Sequence, residues 1–163
     1  MYIAQSMKKL AILLLFGLSL TFTVQAQQTD PEKLQVAIDS ETFVFEANQA
    51  SGMRGQMNQL TPGYTLNVSP GKVVGDLPFF GRSYQATPGS SDGGLKFEFS
   101  EFDFLVKSRK KGGWDITIEP TEPSDVRSVF LTVQKNGAAS LRIISNSKDS
   151  MSYNGYIKEK TEN

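Results

Sequence analysis

The sequence contains no cysteine and no histidine. The first absence excludes disulfides, thiol nucleophiles and thiolate metal sites. It also excludes a lipid anchor, which bacterial lipoproteins attach to a cysteine at the signal cleavage site. The second absence removes Ser-His-Asp and Cys-His catalysis, imidazole acid–base work and most zinc or iron sites. Charge of one sign is missing too: basic and acidic residues stand at 17 each. Without a basic block, nucleic acid is not an expected partner. Long hydrophobic runs are absent except at the N-terminus.

There, Leu10 to Val24 is apolar apart from small hydroxyl residues and a glycine. Lys8 and Lys9 precede it, and Val24-Gln25-Ala26 closes it with a small-x-small cleavage site. That order is a secretory signal peptide. The run is shorter than the about 20 residues of a comfortable membrane span. The reading is a signal over residues 1–26 and a single β-rich domain over 27–163. The mature chain is then slightly acidic, soluble, and periplasmic or secreted, with no transmembrane span. Secreted animal domains of this size often carry disulfides, so their absence points to a bacterial exported protein.

Asp30-Pro31-Glu32 has the marks of a helix start: a capping side chain, proline in the first turn and an early acid. Leu34, Ala37 and Ile38 share one face, which predicts a short amphipathic helix from Pro31 to about Ile38. The period then falls to two. Phe43, Phe45 and Ala47 alternate with more polar neighbours, as do Tyr64, Leu66 and Val68. Leu95, Phe97 and Phe99 form one set. Phe102, Phe104 and Val106 form the next, out of phase, which predicts a bulge or turn at Ser100-Glu101. Further sets are Trp114, Ile116 and Ile118, then Val129, Leu131 and Val133, then Leu141 and Ile143, then Met151 and Tyr153. Asn136-Gly137 is the strongest hairpin signal. Eight to nine strands with one apolar face each predict an all-β antiparallel fold. Alternation alone leaves a β-sandwich and a small closed β-barrel equally open.

Several blocks look familiar together: Phe43-Val44-Phe45-Glu46-Ala47, Met53-Arg54-Gly55, Leu77-Pro78-Phe79-Phe80-Gly81-Arg82-Ser83-Tyr84, and Gly93-Gly94-Leu95-Lys96-Phe97 with Lys111-Gly112-Gly113-Trp114-Asp115-Ile116. Asn136-Gly137-Ala138-Ala139-Ser140-Leu141 and Ser152-Tyr153-Asn154-Gly155-Tyr156-Ile157 complete the set. With these the chain resembles a family of exported Bacteroidetes proteins catalogued as domain of unknown function 4251. The resemblance implies a signal-bearing single domain and no particular activity. Relatives that are lipoproteins carry the cysteine this chain lacks.

No residue pattern announces catalysis, a metal or a cofactor. Gly89-Ser90-Ser91-Asp92-Gly93-Gly94 lacks the lysine of a phosphate loop. Ser91-Asp92-Gly93 and Ser147-Lys148-Asp149 lack the carboxylate density of a calcium loop. Ser145-Asn146-Ser147-Lys148 has the spacing of a Ser-Lys nucleophile but reads as a turn between strands. Glu98, Glu101, Asp103, Asp115 and Glu119 could in principle pair for glycoside hydrolysis, and each also fits the solvent face of a strand. The basic run Lys107-Ser108-Arg109-Lys110-Lys111 reads as a solvated hairpin tip, with contact to an anionic surface as the sharper alternative. The aromatic block is where a ligand site is expected: Phe79, Phe80 and Tyr84 lining a mouth and Arg82 fixing a polar or anionic group, with Arg54 as a second cation. The structural expectation, which aromatic side chains meet more often, is that Phe79 and Phe80 plug one end of the fold while Arg82 satisfies loop carbonyls or pairs with an acid such as Asp76.

The leading function is therefore a non-enzymatic binding or interaction protein of the cell envelope, whose partner is a protein, a glycan or a small hydrophobic ligand. A lipocalin-like carrier of a lipid is the alternative, and a carboxylate hydrolase ranks behind both. An outer-membrane barrel ranks last. Its strands would need ~9–11 residues, and this chain ends in the charged tail Lys158 to Asn163.

Overall fold

The computed structural model describes residues 30–53, 55–84, 94–158 and 160. The expected signal peptide, Arg54 and most of the glycine-rich stretch lie outside the described residues. Helix α1 spans Pro31–Asp39. The Asp30 side chain accepts a hydrogen bond from the Glu32 N–H at 3.0 Å, which caps its start. It buries Leu34 and Ile38 almost completely. Burial of each contributes about 1.5–3 kcal/mol.

Ten strands follow: β1 (Phe43–Ser51), β2 (Met57–Gln59), β3 (Thr65–Ser69), β4 (Lys72–Pro78), β5 (Gly94–Phe99), β6 (Phe102–Ser108), β7 (Trp114–Pro120), β8 (Val126–Val133), β9 (Ala138–Ser145) and β10 (Met151–Lys158). They form one sheet in the order β5-β4-β3-β1-β10-β9-β8-β7-β6, with β2 beside the second half of β1. Every pairing is antiparallel. An even number of antiparallel steps separates β5 from β6, so the two run in the same direction. They act as one long strand kinked at Ser100-Glu101, where the Phe99 and Phe102 rings meet edge to face at 5.8 Å. The first part pairs with β4 and the second with β7. This curls the sheet into a nearly closed barrel and decides between the two architectures left open by the sequence.

The inward face is apolar and packed. Phe43, Phe45, Leu66, Ile116, Ile118, Leu131 and Leu141 are all within about 1% of full burial. Tyr153 joins them, and its hydroxyl donates to the Pro78 carbonyl at 2.8 Å. The outward face carries the charges, paired across strands: Lys72 with Glu98 at 2.7 Å, Lys96 with Asp76 at 3.8 Å, and Lys158 with Glu46. Apolar inside and charged outside is the inverse of a transmembrane barrel, which turns its apolar face to lipid. Among the described residues, no helix is long and apolar enough to cross a membrane.

The Asn136-Gly137 hairpin forms as expected. Gly137 takes φ +83°, and its N–H donates to the Gln134 carbonyl. Leu77 and Pro78, the first residues of the aromatic block, finish β4. The short β2 carries no alternation and gives no sequence signal.

Candidate ligand-binding site

Helix α1 covers one end of the barrel, where Trp114 Nε1 donates to Gln35 Oε1 at 2.9 Å. The opposite end lies where β1 and β4 finish and β10 begins. Two loops are fastened together there. Ser83 and Lys148 form an isolated antiparallel bridge. The Tyr84 N–H donates to the Ser147 carbonyl at 2.7 Å, and the Asp149 N–H donates to the Arg82 carbonyl at 2.9 Å. The Asp149 carboxylate accepts from the Arg82 N–H at 2.9 Å and from the Tyr84 hydroxyl. That hydrogen bond, with the nearby negative charge, raises the Tyr84 pKa above the usual tyrosine value. Gly81 sits where a Cβ would meet Asp149 Cβ and the Phe79 ring, each at 2.8 Å. The bracket therefore requires a residue without a side chain at that position.

The bracket divides the aromatic block. Phe79 turns inward, half-buried against the core, with the Lys148 ammonium 5.4 Å from its ring centroid. Phe80 turns outward and stays 49% exposed. Beside it a cleft of about 380 Å³ opens between the β1–β2 loop and the bracket. Met53, Gln56, Asn58, Phe80, Arg82 and Asp149 form its walls, over Gly52 and Gly81. Met53 is 73% exposed. Arg82 is exposed, and among the described residues its guanidinium has no carboxylate partner. Asp76, the partner expected for Arg82, pairs with Lys96 instead.

Of the residues expected at a mouth, the structure brings Phe80 and Arg82 into the cleft. Phe79 packs below it, Tyr84 braces it through Asp149, and Arg54 lies outside the described residues. Sequence reasoning missed Met53, Gln56, Asn58 and Asp149. Met53 stood in one of the family blocks, whereas Asp149 offered no signal because it closes a contact across 65 residues.

The other candidates serve the fold. The Ser145 hydroxyl donates to Asp125 at 2.8 Å and accepts from the backbone of Ser147 and Lys148. The Lys148 ammonium donates to the Gly94 carbonyl at 3.0 Å. Glu98 pairs with Lys72, Asp115 with Arg109 at 3.5 Å, and Glu119 accepts from Ser128. Lys107 and Ser108 end β6, and Arg109 to Lys111 lie in the exposed turn to β7. Among the described residues, no three His, Cys, Asp or Glu gather as metal ligands.

The family model for a domain of unknown function (DUF4251) matches residues 25–157. No curated protein matches the chain. Among solved structures, it is similar to a DUF4251 family protein from Bacteroides eggerthii DSM 20697. The identity is 20%, over 82% of this chain and 90% of that one, with a TM-score of 0.64. At that identity the likeness concerns the fold alone.

Proposed function

This chain belongs to the DUF4251 family of unknown function, and from that premise we propose that it is an exported, non-enzymatic binding protein of the bacterial cell envelope. Its ligand is amphipathic, with an apolar body and an anionic group. One observation carries this reading: the cleft sets exposed Met53 and Phe80 beside the exposed guanidinium of Arg82, on a hydrogen-bonded bracket. An apolar ligand body covers the two hydrophobic side chains, and Arg82 offers fork-shaped donors to an anion. Gln56 and Asn58 supply further polar contacts. Asp149 does not oppose the anion in full, because its oxygens already accept from Arg82 N–H and Tyr84 O–H.

The non-enzymatic reading is supported by the missing histidine and cysteine and by carboxylates engaged in cross-strand pairs. A lipid carrier of the lipocalin kind needs room inside the barrel, and the packed interior side chains occupy that space, so the rim is favoured over the interior. The test is titration of the mature protein with the anionic amphiphile anilinonaphthalene sulfonate, read by fluorescence. Saturable binding that Arg82→Ala and Phe80→Ala each abolish, with folding retained, supports the cleft. Binding that survives both substitutions, or no binding at all, refutes it.

A further inference from the structure

The side of the barrel carries a second groove, remote in character from the rim. It holds about 250 Å³ and opens on the outer face where β1, β10 and β9 run together. Its walls are Asn48, Gln49, Gln134, Asn154, Ser140 and Tyr156, over a floor of Ala138, Ala139 and Gly155. Among the described residues, none lining it is charged, although the same outer face carries Glu46, Lys158 and Arg142 close by. We propose that this groove binds a neutral saccharide, with Tyr156 as its aromatic platform and the carboxamides of Asn48, Gln49, Gln134 and Asn154 reading hydroxyl groups.

The argument is one of chemical fit. Each carboxamide presents a donor and an acceptor side by side, which matches neighbouring hydroxyls that both give and take hydrogen bonds. An anion would find no cation in the groove. A hydrocarbon would cover the Asn48 and Gln134 amides and the open hydrogen-bonding positions of Gln49 and Asn154 without satisfying them, at a cost for each. The remaining class is a neutral polyol with an apolar C–H face. Tyr156 supplies the surface for that face: it is 51% exposed and projects outward from β10.

The groove is also built. The pairing of β1 with β10 slips between Ala47 and Gln49, so Asn48 is the bulged residue, re-aimed out of the ladder. Its carbonyl accepts from the Leu60 N–H at 2.9 Å, which pins the bulge. Opposite it, a Cβ at Gly155 would collide with the Glu46 carbonyl, so only glycine lets the two strands approach and keeps the floor bare. The Ser140 hydroxyl donates to Asn154 Oδ1 at 2.9 Å, and Asn154 Nδ2 donates to Gln49 Oε1 at 3.5 Å. These contacts hold the amides in position before any ligand arrives.

The experiment is a printed array of neutral and acidic oligosaccharides probed with the mature protein, followed by calorimetric titration of a neutral oligosaccharide that binds. Tyr156→Ala and Asn154→Leu are each expected to weaken binding about tenfold or more, and Tyr156→Phe to stay within about twofold, because it keeps the ring. Both positions are exposed, so folding is retained and circular dichroism checks it. Arg82→Ala leaves saccharide binding unchanged, which separates this groove from the rim cleft. The proposal is overturned by an array without binding, by binding confined to acidic glycans, or by affinity that Tyr156→Ala does not alter.

Discussion

The two ends of this barrel are closed by different physics. At the helix end, Leu34 and Ile38 disappear into the core, and a polar contact that ties α1 to the wall, Trp114 to Gln35, is partly buried. At the rim end, the closure is polar and wet. Arg82, Tyr84 and Asp149 hold two loops together by hydrogen bonds at exposed positions, while Met53, Met57, Phe80 and Tyr84 remain in solvent. An end that only needed closing would bury most of its apolar groups, as α1 buries Leu34 and Ile38 and leaves only Val36 of its large hydrophobic side chains in solvent. The rim instead holds its loops in place without covering its hydrophobic side chains. That difference separates a stabilising end from the end proposed to bind.

The largest expected effect breaks the helix end. Ile38→Ala leaves a cavity under α1 and should cost about 2–5 kcal/mol, measured by urea unfolding. A cost below ~1 kcal/mol would mean that α1 is a dispensable lid.

Next comes the residue that links core to rim. Tyr153→Phe removes the donor from the part-buried Pro78 carbonyl and should cost about 1–3 kcal/mol. It should also change the alkaline limb of stability. Burial raises the Tyr153 pKa above the ordinary 10.0. The folded state therefore keeps its proton where the unfolded chain releases it. Stability from this group is complete below pH 10.0 and declines as the pH rises beyond it. In Tyr153→Phe the decline above that pH should be shallower. An unchanged slope would assign the alkaline loss to Tyr84, whose pKa moves the same way for a different reason.

Opening the bracket should cost less. Asp149→Ala removes two acceptors from solvent-exposed donors, for about 0.5–1.5 kcal/mol by thermal unfolding. It should abolish ligand binding at the rim all the same, because Arg82 and Phe80 lose their fixed positions. The smallest effect on stability belongs to Phe80→Ala, expected within about 0.5 kcal/mol of the parent. Loss of rim binding with stability intact is the signature that distinguishes this end from α1.

How much of this was legible in the sequence follows the range of the interactions. The helix was readable because its cap and its buried face lie within ten residues of each other. The strands were readable because alternation is a local property of a half-buried surface. The phase slip between Phe99 and Phe102 even located the kink that closes the barrel. Closure itself was not readable, because a sandwich and a barrel make the same local demands. Phe79 and Phe80 follow the same local rule of alternation. Phe79 continues the inward phase of Val73, Gly75 and Leu77, and Phe80 falls on the outward phase. Asp149 gave no sign at all, since a carboxylate in a turn is the ordinary case and its partners come from a distant segment. The carboxamide groove was equally silent. Asn48 and Asn154 come onto one surface only through the register of β1 and β10, far apart in the chain.

The central claim is that the rim is a binding end. Its most direct test is native mass spectrometry of the mature protein, released gently from the envelope of its own host, beside an Arg82→Ala/Phe80→Ala double variant prepared identically. The account predicts an adduct of discrete mass on the parent protein and a bare mass on a folded double variant. A bare mass on both, or the same adduct on both, would contradict it.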